Sequence, residues 1–232
     1  MPKKLYDVVY ILKDNLTTEE LRYSLRSVEK NFPVRKVWFV GGQPKGFKPD
    51  VAIKHDQVGE NKWSKIRASM LKVANEPDLS NEFFLFNDDF FIMKPFKGKF
   101  VNYADQTLSW RIEDLKEQNN NWLTPYTRTL VKAREELKIL GHTEINFEVH
   151  TPMLFNKALV PSVLKCSSPQ MRSIYGNING IPYAQREDVK VYDLETVPDN
   201  ADLISTDDNT FTNGKVGAFI RECFPEPSRF ET

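Results

Sequence analysis

The chain has 232 residues, enough for one good core with a small annex, so a single domain over 1–232 is the first expectation. Lys plus Arg and Asp plus Glu both number 32, and the zero net charge argues against a dominant nucleic-acid surface, which needs a basic excess. A hydrophobic fraction of 40% with 16 Phe excludes a disordered chain.

The longest apolar runs, such as Val8-Val9-Tyr10-Ile11-Leu12, fall short of the roughly 20 residues a membrane helix needs. Met1-Pro2-Lys3-Lys4 leads into no adequate signal-peptide core. Cys166 and Cys223 have no metal-type spacing, and a reduced, cytoplasmic protein is the simplest expectation.

Leu5 to Leu12 predicts a buried strand running into Lys13-Asp14-Asn15. Thr17 and Glu20 stand at capping-box spacing, and Leu21, Leu25, Val28 and Phe32 form the apolar stripe of a helix that Pro33 ends. Arg22 and Arg26 share another face of that helix, where phosphate contacts compete with plain pairing to Glu19 or Glu29. Val34 to Val40 predicts a second strand, closed by the turn Gly41-Gly42-Gln43-Pro44, and a short third strand is expected near Val51 to Lys54. A helix from Asn61 carries Trp63, Ile66, Met70 and Val73. Strand, helix, strand is a βαβ unit, so the fold class is α/β with a mainly parallel sheet flanked by helices.

The organising stretch is Phe83-Phe84-Leu85-Phe86-Asn87-Asp88-Asp89-Phe90-Phe91-Ile92. It predicts a strand buried on both faces with Asn87, Asp88 and Asp89 at its carboxyl end. Two adjacent carboxylates cannot be buried unpaired, because desolvating even one costs several kcal/mol. They are expected to face a cleft and a cation, magnesium or manganese, with a diphosphate completing the shell. The bland alternative is a strand-ending turn with solvated Asp caps. In open α/β sheets ligands gather at the carboxyl ends of strands, where Asp14, Gly41-Gly42 and Asp88-Asp89 all fall.

Residues 102–124 are mixed, and Thr127 to Leu140 predicts a helix closed by Gly141. Glu144 to His150 alternates and predicts a strand. A lone histidine such as His150 is ordinarily a structural side chain. Residues 167–182 carry the breakers Pro169, Gly176, Gly180 and Pro182 and predict a loop, in which Arg172 is a phosphate clamp or a surface charge. Asp207-Asp208-Asn209 is a second acidic cluster, followed by a helix from about Lys215 to Cys223 and an extended close. No Walker loop, Gly-x-Gly-x-x-Gly or Gly-x-Ser-x-Gly motif is present.

Several of these blocks resemble the Stealth family. Asp7-Val8-Val9-Tyr10 with Asp14 is similar to its first block, although Ile11-Leu12-Lys13 replaces the usual Thr-Trp-Val and Asn15 replaces Gly. Glu20-Leu21-Arg22-Tyr23-Ser24-Leu25-Arg26-Ser27-Val28-Glu29-Lys30, Gly42-Gln43-Pro44 and Phe86-Asn87-Asp88-Asp89 are similar to its second. Val149-His150-Thr151-Pro152-Met153 resembles the third block, Arg172-Ser173 a later Arg-Ser, and Asp207-Asp208-Asn209 with Phe224-Pro225-Glu226-Pro227-Ser228-Arg229-Phe230-Glu231 the closing block. Lys62-Trp63-Ser64-Lys65-Ile66-Arg67 stands where the family has Asn-Ser-His-Ala-Ile-Glu.

The resemblance implies a GT-A-like nucleotide-sugar fold: a donor-binding half over 1–95, a variable helical insertion over 96–143 and an acceptor and catalytic half over 144–232. It implies transfer of a hexose-1-phosphate from a nucleotide-sugar, a UDP-sugar first, to a hydroxyl of a glycan or other polymer. The implied metal ligands are Asp88, Asp89, Asp208 and Asn209. Catalytic roles fall on His150 as base, Asp89 and Arg172, and substrate contacts on Asp14, Arg22, Arg26, Gly42, Lys62 and Asn87. Two rivals remain open: a glycosyltransferase that releases UDP from the same donor, and a non-catalytic carbohydrate- or nucleotide-binding relative.

Overall fold

The computed structural model describes residues 4–13, 19–54, 62–97 and 100–232, apart from the side chains of Lys62 and Trp63. Five strands form the main sheet: β1 (Tyr6–Leu12), β2 (Val34–Gly41), β3 (Val51–Lys54), β4 (Glu82–Phe86) and β7 (Met153–Asn156). Their order is β3-β2-β1-β4-β7, parallel except for β7, which runs antiparallel to β4. The expected α/β class with a mainly parallel sheet is therefore present.

Helices cover both faces, as a parallel sheet requires. From β1, Val8, Tyr10 and Leu12 pack with Leu21, Leu25 and Val28 of α1 (Glu19–Asn31). Val9 points to the opposite face, into a core with Met70 and Val73 of α2 (Lys62–Ala74). The period of two along β1 thus meets two helical stripes, and each fully buried Phe, Leu or Val stabilises the fold by roughly 1.5–3 kcal/mol. Gly41 ends β2 at φ 93°, a left-handed conformation that glycine adopts without a Cβ clash.

The strand order places a switch point between β1 and β4. The chain leaves β1 toward β2 and β3, then crosses through α2 to the other side of β1 to form β4. A crevice opens at such a reversal, outside the carboxyl ends of the two strands.

The Phe-rich stretch is not one strand. Asn87, Asp88 and Asp89 form a turn from β4 into β5 (Phe90–Ile92), which belongs to a second sheet, β5-β10-β9, with β9 (Lys190–Val191) and β10 (Leu203–Thr206). The outer edge of β5 meets no strand among the described residues. Instead Ser24 donates to the Phe90 carbonyl (2.6 Å), Ser27 accepts from the Ile92 amide (3.0 Å), and Asn31 donates to the Ile92 carbonyl (2.6 Å). Three polar residues on one face of α1 therefore cap a strand edge that otherwise exposes unpaired backbone groups.

Residues 96–143 hold β6 (Asn102–Ala104), α3 (Leu108–Gln118) and α4 (Pro125–Ile139), with β6 paired to β8 (Tyr183–Gln185). Leu108, Ile112, Leu130, Ala133 and Leu137 form a separate core between the two helices.

Two expectations are corrected. Residues 144–150 form no strand, only an isolated bridge between Ile145 and Thr107. Their backbone is held by side chains of α5 (Met171–Ile178): Asn177 accepts from the Ile145 amide and Ser173 from that of Phe147. That helix overturns the loop expected over 167–182. Pro169 precedes it and Gly180 follows it at φ 56°, so those breakers mark its ends. Gly176 lies inside because Phe147 packs against its backbone, where a Cβ would sit 2.4 Å from the ring. The short α6 (Asp208–Asn213) and then α7 (Lys215–Cys223) follow β10, the latter where the sequence places it.

Candidate functional site

The acid turn sits at the carboxyl end of β4, beside the end of β1, at the switch point. Gly42 closes the neighbouring strand end, its amide donating to the Leu12 carbonyl (2.8 Å). Asp88 is half-buried, and desolvation, reinforced by the charge of Asp89, pushes its carboxyl up to about 6; Lys13 at the end of β1 pulls it partly back. Raised carboxyls are expected where like charges share a poorly solvated site.

Asp89 is held asymmetrically. Lys190 of β9 donates to Oδ2 at 2.9 Å, and Ser205 of β10 donates to the same oxygen at 3.3 Å. The other oxygen, Oδ1, is buried with no hydrogen-bond partner among the described residues. Burial works against the Lys190 charge, but Asp89 outweighs it and the ammonium is held above its ordinary value.

A third carboxyl comes from α1. Glu20 is buried and accepts from the Thr206 hydroxyl (2.6 Å). Burial drives its pKa up, the Thr206 bond opposes this, and Asp89, Asp208 and Asp88 add to the rise. Asp208 lies within electrostatic reach of both Glu20 and Asp88, so part of the last acidic cluster stands near the first. Within that cluster Asp207 caps α6, and Asn209 accepts from Asn213 of the same helix (2.9 Å).

Arg172 comes from the first turn of α5. It donates to the Asn87 side chain (2.8 Å), lies 4.0 Å from Glu148 and covers the Phe90 ring at 5.7 Å. Burial lowers its pKa against the pull of Glu148 and Asp89, and its Nε has no partner among the described residues.

His150 lies in a turn at φ 47°, a conformation uncommon for a non-glycine residue. Its Nδ1 meets both carboxylate oxygens of Asp188, at 2.8 and 2.9 Å. Arg111 of α3 approaches the same carboxylate at 4.0 Å. With a carboxylate on Nδ1 the proton is fixed there and Nε2 is the basic nitrogen.

Asn87, Asp88, Asp89, Arg172 and Asp208 are thus brought into one neighbourhood, and His150 shares the 188–190 segment with it. Arg22 and Arg26 are not part of it: both pair with Glu231, at 2.5 and 2.7 Å. Asp14, Thr17 and the Lys62 side chain lie outside the described residues. Sequence reasoning missed Lys190, Asp188, Ser205 and the burial of Glu20. Glu187-Asp188-Val189-Lys190 has the pattern of an ordinary solvated charge run, and Glu20 looks like a helix cap.

Among the described residues no three His, Cys, Asp or Glu side chains form a ready-made metal cage. An adjacent carboxylate pair nevertheless fits magnesium or manganese, which take one or two carboxylates and fill the rest of the shell with water and substrate phosphates. The unpartnered Oδ1 of Asp89 agrees with that donor set. Among the described residues no helix is long and apolar enough to cross a membrane. No protein-family model matches the chain, and no curated protein matches it in sequence.

Proposed function

We propose that this chain is a divalent-cation-dependent transferase that moves a hexose-1-phosphate from a nucleotide-sugar, a UDP-sugar first, to an acceptor hydroxyl of a glycan or other polymer. One observation carries the reading: two adjacent carboxylates stand at the switch point of a mainly parallel sheet, one with a buried oxygen that no described residue satisfies. The Stealth-like motifs support the same activity and a GT-A-like fold. Cys166 and Cys223 are free thiols, which agrees with a reducing, cytoplasmic setting.

Asp88 and Asp89 would hold magnesium or manganese, with Asp208 and Glu20 as further carboxylates in the same neighbourhood. Bound there, the ion supplies charge neutralisation for a diphosphate and its departing nucleotide. Arg172, held by Asn87 and lying over Phe90, presents a planar fork whose Nε–H no described residue accepts, a geometry suited to phosphate oxygens. His150 Nε2 would accept the acceptor-hydroxyl proton, while Asp188 holds the ring and balances the imidazolium that forms.

The test is incubation of the purified protein with manganese and a panel of UDP-, GDP- and CDP-sugars, read by mass spectrometry. UMP release is the expected result. UDP release assigns glycosyl transfer instead, which the same acid pair would serve. An intact donor throughout the panel overturns the catalytic reading.

A further inference from the structure

The contact between Lys190 and Asp89 bears on how a cation enters, and this inference rests on the cation-dependent reading above. Asp89 Oδ2 carries a direct ammonium contact at 2.9 Å, both side chains being 15% or less exposed. An ammonium on that oxygen and a dipositive ion on the same carboxylate repel each other strongly in so poorly solvated a place. The Lys190 backbone is fixed, since it pairs with Ser205 in the second sheet and its amide donates to Asp188 (3.1 Å). Only the flexible four-carbon stem is free to swing. Glu20 lies within electrostatic reach of the ammonium, so a second carboxylate is at hand when the first is taken.

We propose that Lys190 is a built-in counter-cation at Asp89, which a divalent ion must displace in order to bind. Ion binding then releases an ammonium beside the carboxylates where the donor's phosphates would lie. The protein alone holds the ion weakly, and a donor that receives the freed ammonium strengthens the hold.

Manganese binding to the full chain, followed by the electron paramagnetic resonance of the free ion without any donor, tests this apart from catalysis. Lys190→Met is expected to bind manganese about tenfold more tightly than the unaltered protein, since a charge-assisted bond no longer competes. Asp89→Asn is expected to lose binding. Equal or weaker binding by Lys190→Met, with Asp89→Asn still inactive in binding, overturns the role of Lys190 and leaves the cation site standing. Absence of manganese binding in both the unaltered protein and Lys190→Met overturns both readings. If Lys190→Met does not fold, Lys190→Arg decides: a two-point guanidinium pair is expected to weaken manganese binding several-fold, and unchanged affinity sinks the proposal.

Discussion

Two charged clusters draw on helix α1, and they close to different degrees. On one, Glu231 accepts from Arg22, from two nitrogens of Arg26 and from the Ser228 amide, while Arg26 spends its remaining nitrogen on the Phe224 and Pro225 carbonyls. On the other, Glu20, Asp88, Asp89 and Asp208 share a neighbourhood with Lys190, and an Asp89 oxygen and the Arg172 Nε have no partners among the described residues. The first cluster holds residues that the sequence offers as substrate contacts, the second residues that it offers as metal ligands and a phosphate clamp. The first is a finished network whose donors and acceptors answer one another, which is what a structural clasp looks like. The second carries excess like charge and unspent hydrogen-bonding capacity, a cost that a fold tolerates where a ligand will meet it.

The comparison breaks most visibly at Asp88. Asp88→Asn keeps the shape but removes a charge that its surroundings disfavour, so cation-dependent nucleotide release is expected to fall at least about 100-fold while the melting temperature stays level or rises. A stable, fully active variant would show that this acid pair is not the centre. Glu231→Gln is expected to do the reverse. Removing one partner of a buried ion pair costs about 3 kcal/mol, a drop of roughly 6–12 °C for a chain of this size, with manganese binding unchanged.

The pH dependence of that clasp has a definite sign. Burial alone would raise the Glu231 carboxyl, but the bonds from Arg26, Ser228 and Arg22 prevail and hold it at about 2, below its ordinary 4.5. Its stabilisation is fully present above about pH 4.5 and is lost as pH falls toward 2. Acid titrations of stability in the unaltered protein and in Glu231→Gln should therefore converge in that interval. The smallest expected effect sharpens the second cluster. Asp188→Asn should lower kcat by about tenfold with KM little changed, because the imidazole loses its orienting carboxylate. A purely structural Asp188 would lower the melting temperature and leave kcat of the folded protein unchanged.

Segments with strong periodicity were legible in the sequence: β1, the apolar stripe of α1, β2, β3, α4 and α7 all fall where apolar spacing puts them. The position of the acid pair was legible too, at the carboxyl end of the strand that the Phe-rich run announces. What escaped has specific causes. Helix α5 is only two turns long and nearly buried all round, and Gly176 serves the Phe147 ring rather than a turn. Residues 144–149 alternate like a strand, yet their amides bond to Asn177 and Ser173, partners some thirty residues away that no local pattern announces. Lys190 and Asp188 matter only through contacts about a hundred and about forty positions distant in the chain. Arg22 and Arg26 were placed among the ligands because their partner, Glu231, stands some two hundred residues off.

The split between β4 and β5 has a mechanical consequence. Three residues form the joint between two separately bonded sheets, so any sliding of one sheet past the other is taken up in their torsions. The spacing of the two carboxylates is therefore set from a distance, by how β10 grips β5 and how the serines and asparagine of α1 clasp its free edge. Ser24, Ser27 and Asn31 act as trim screws for the centre: loosening any of them would detune it with no ligand contact altered.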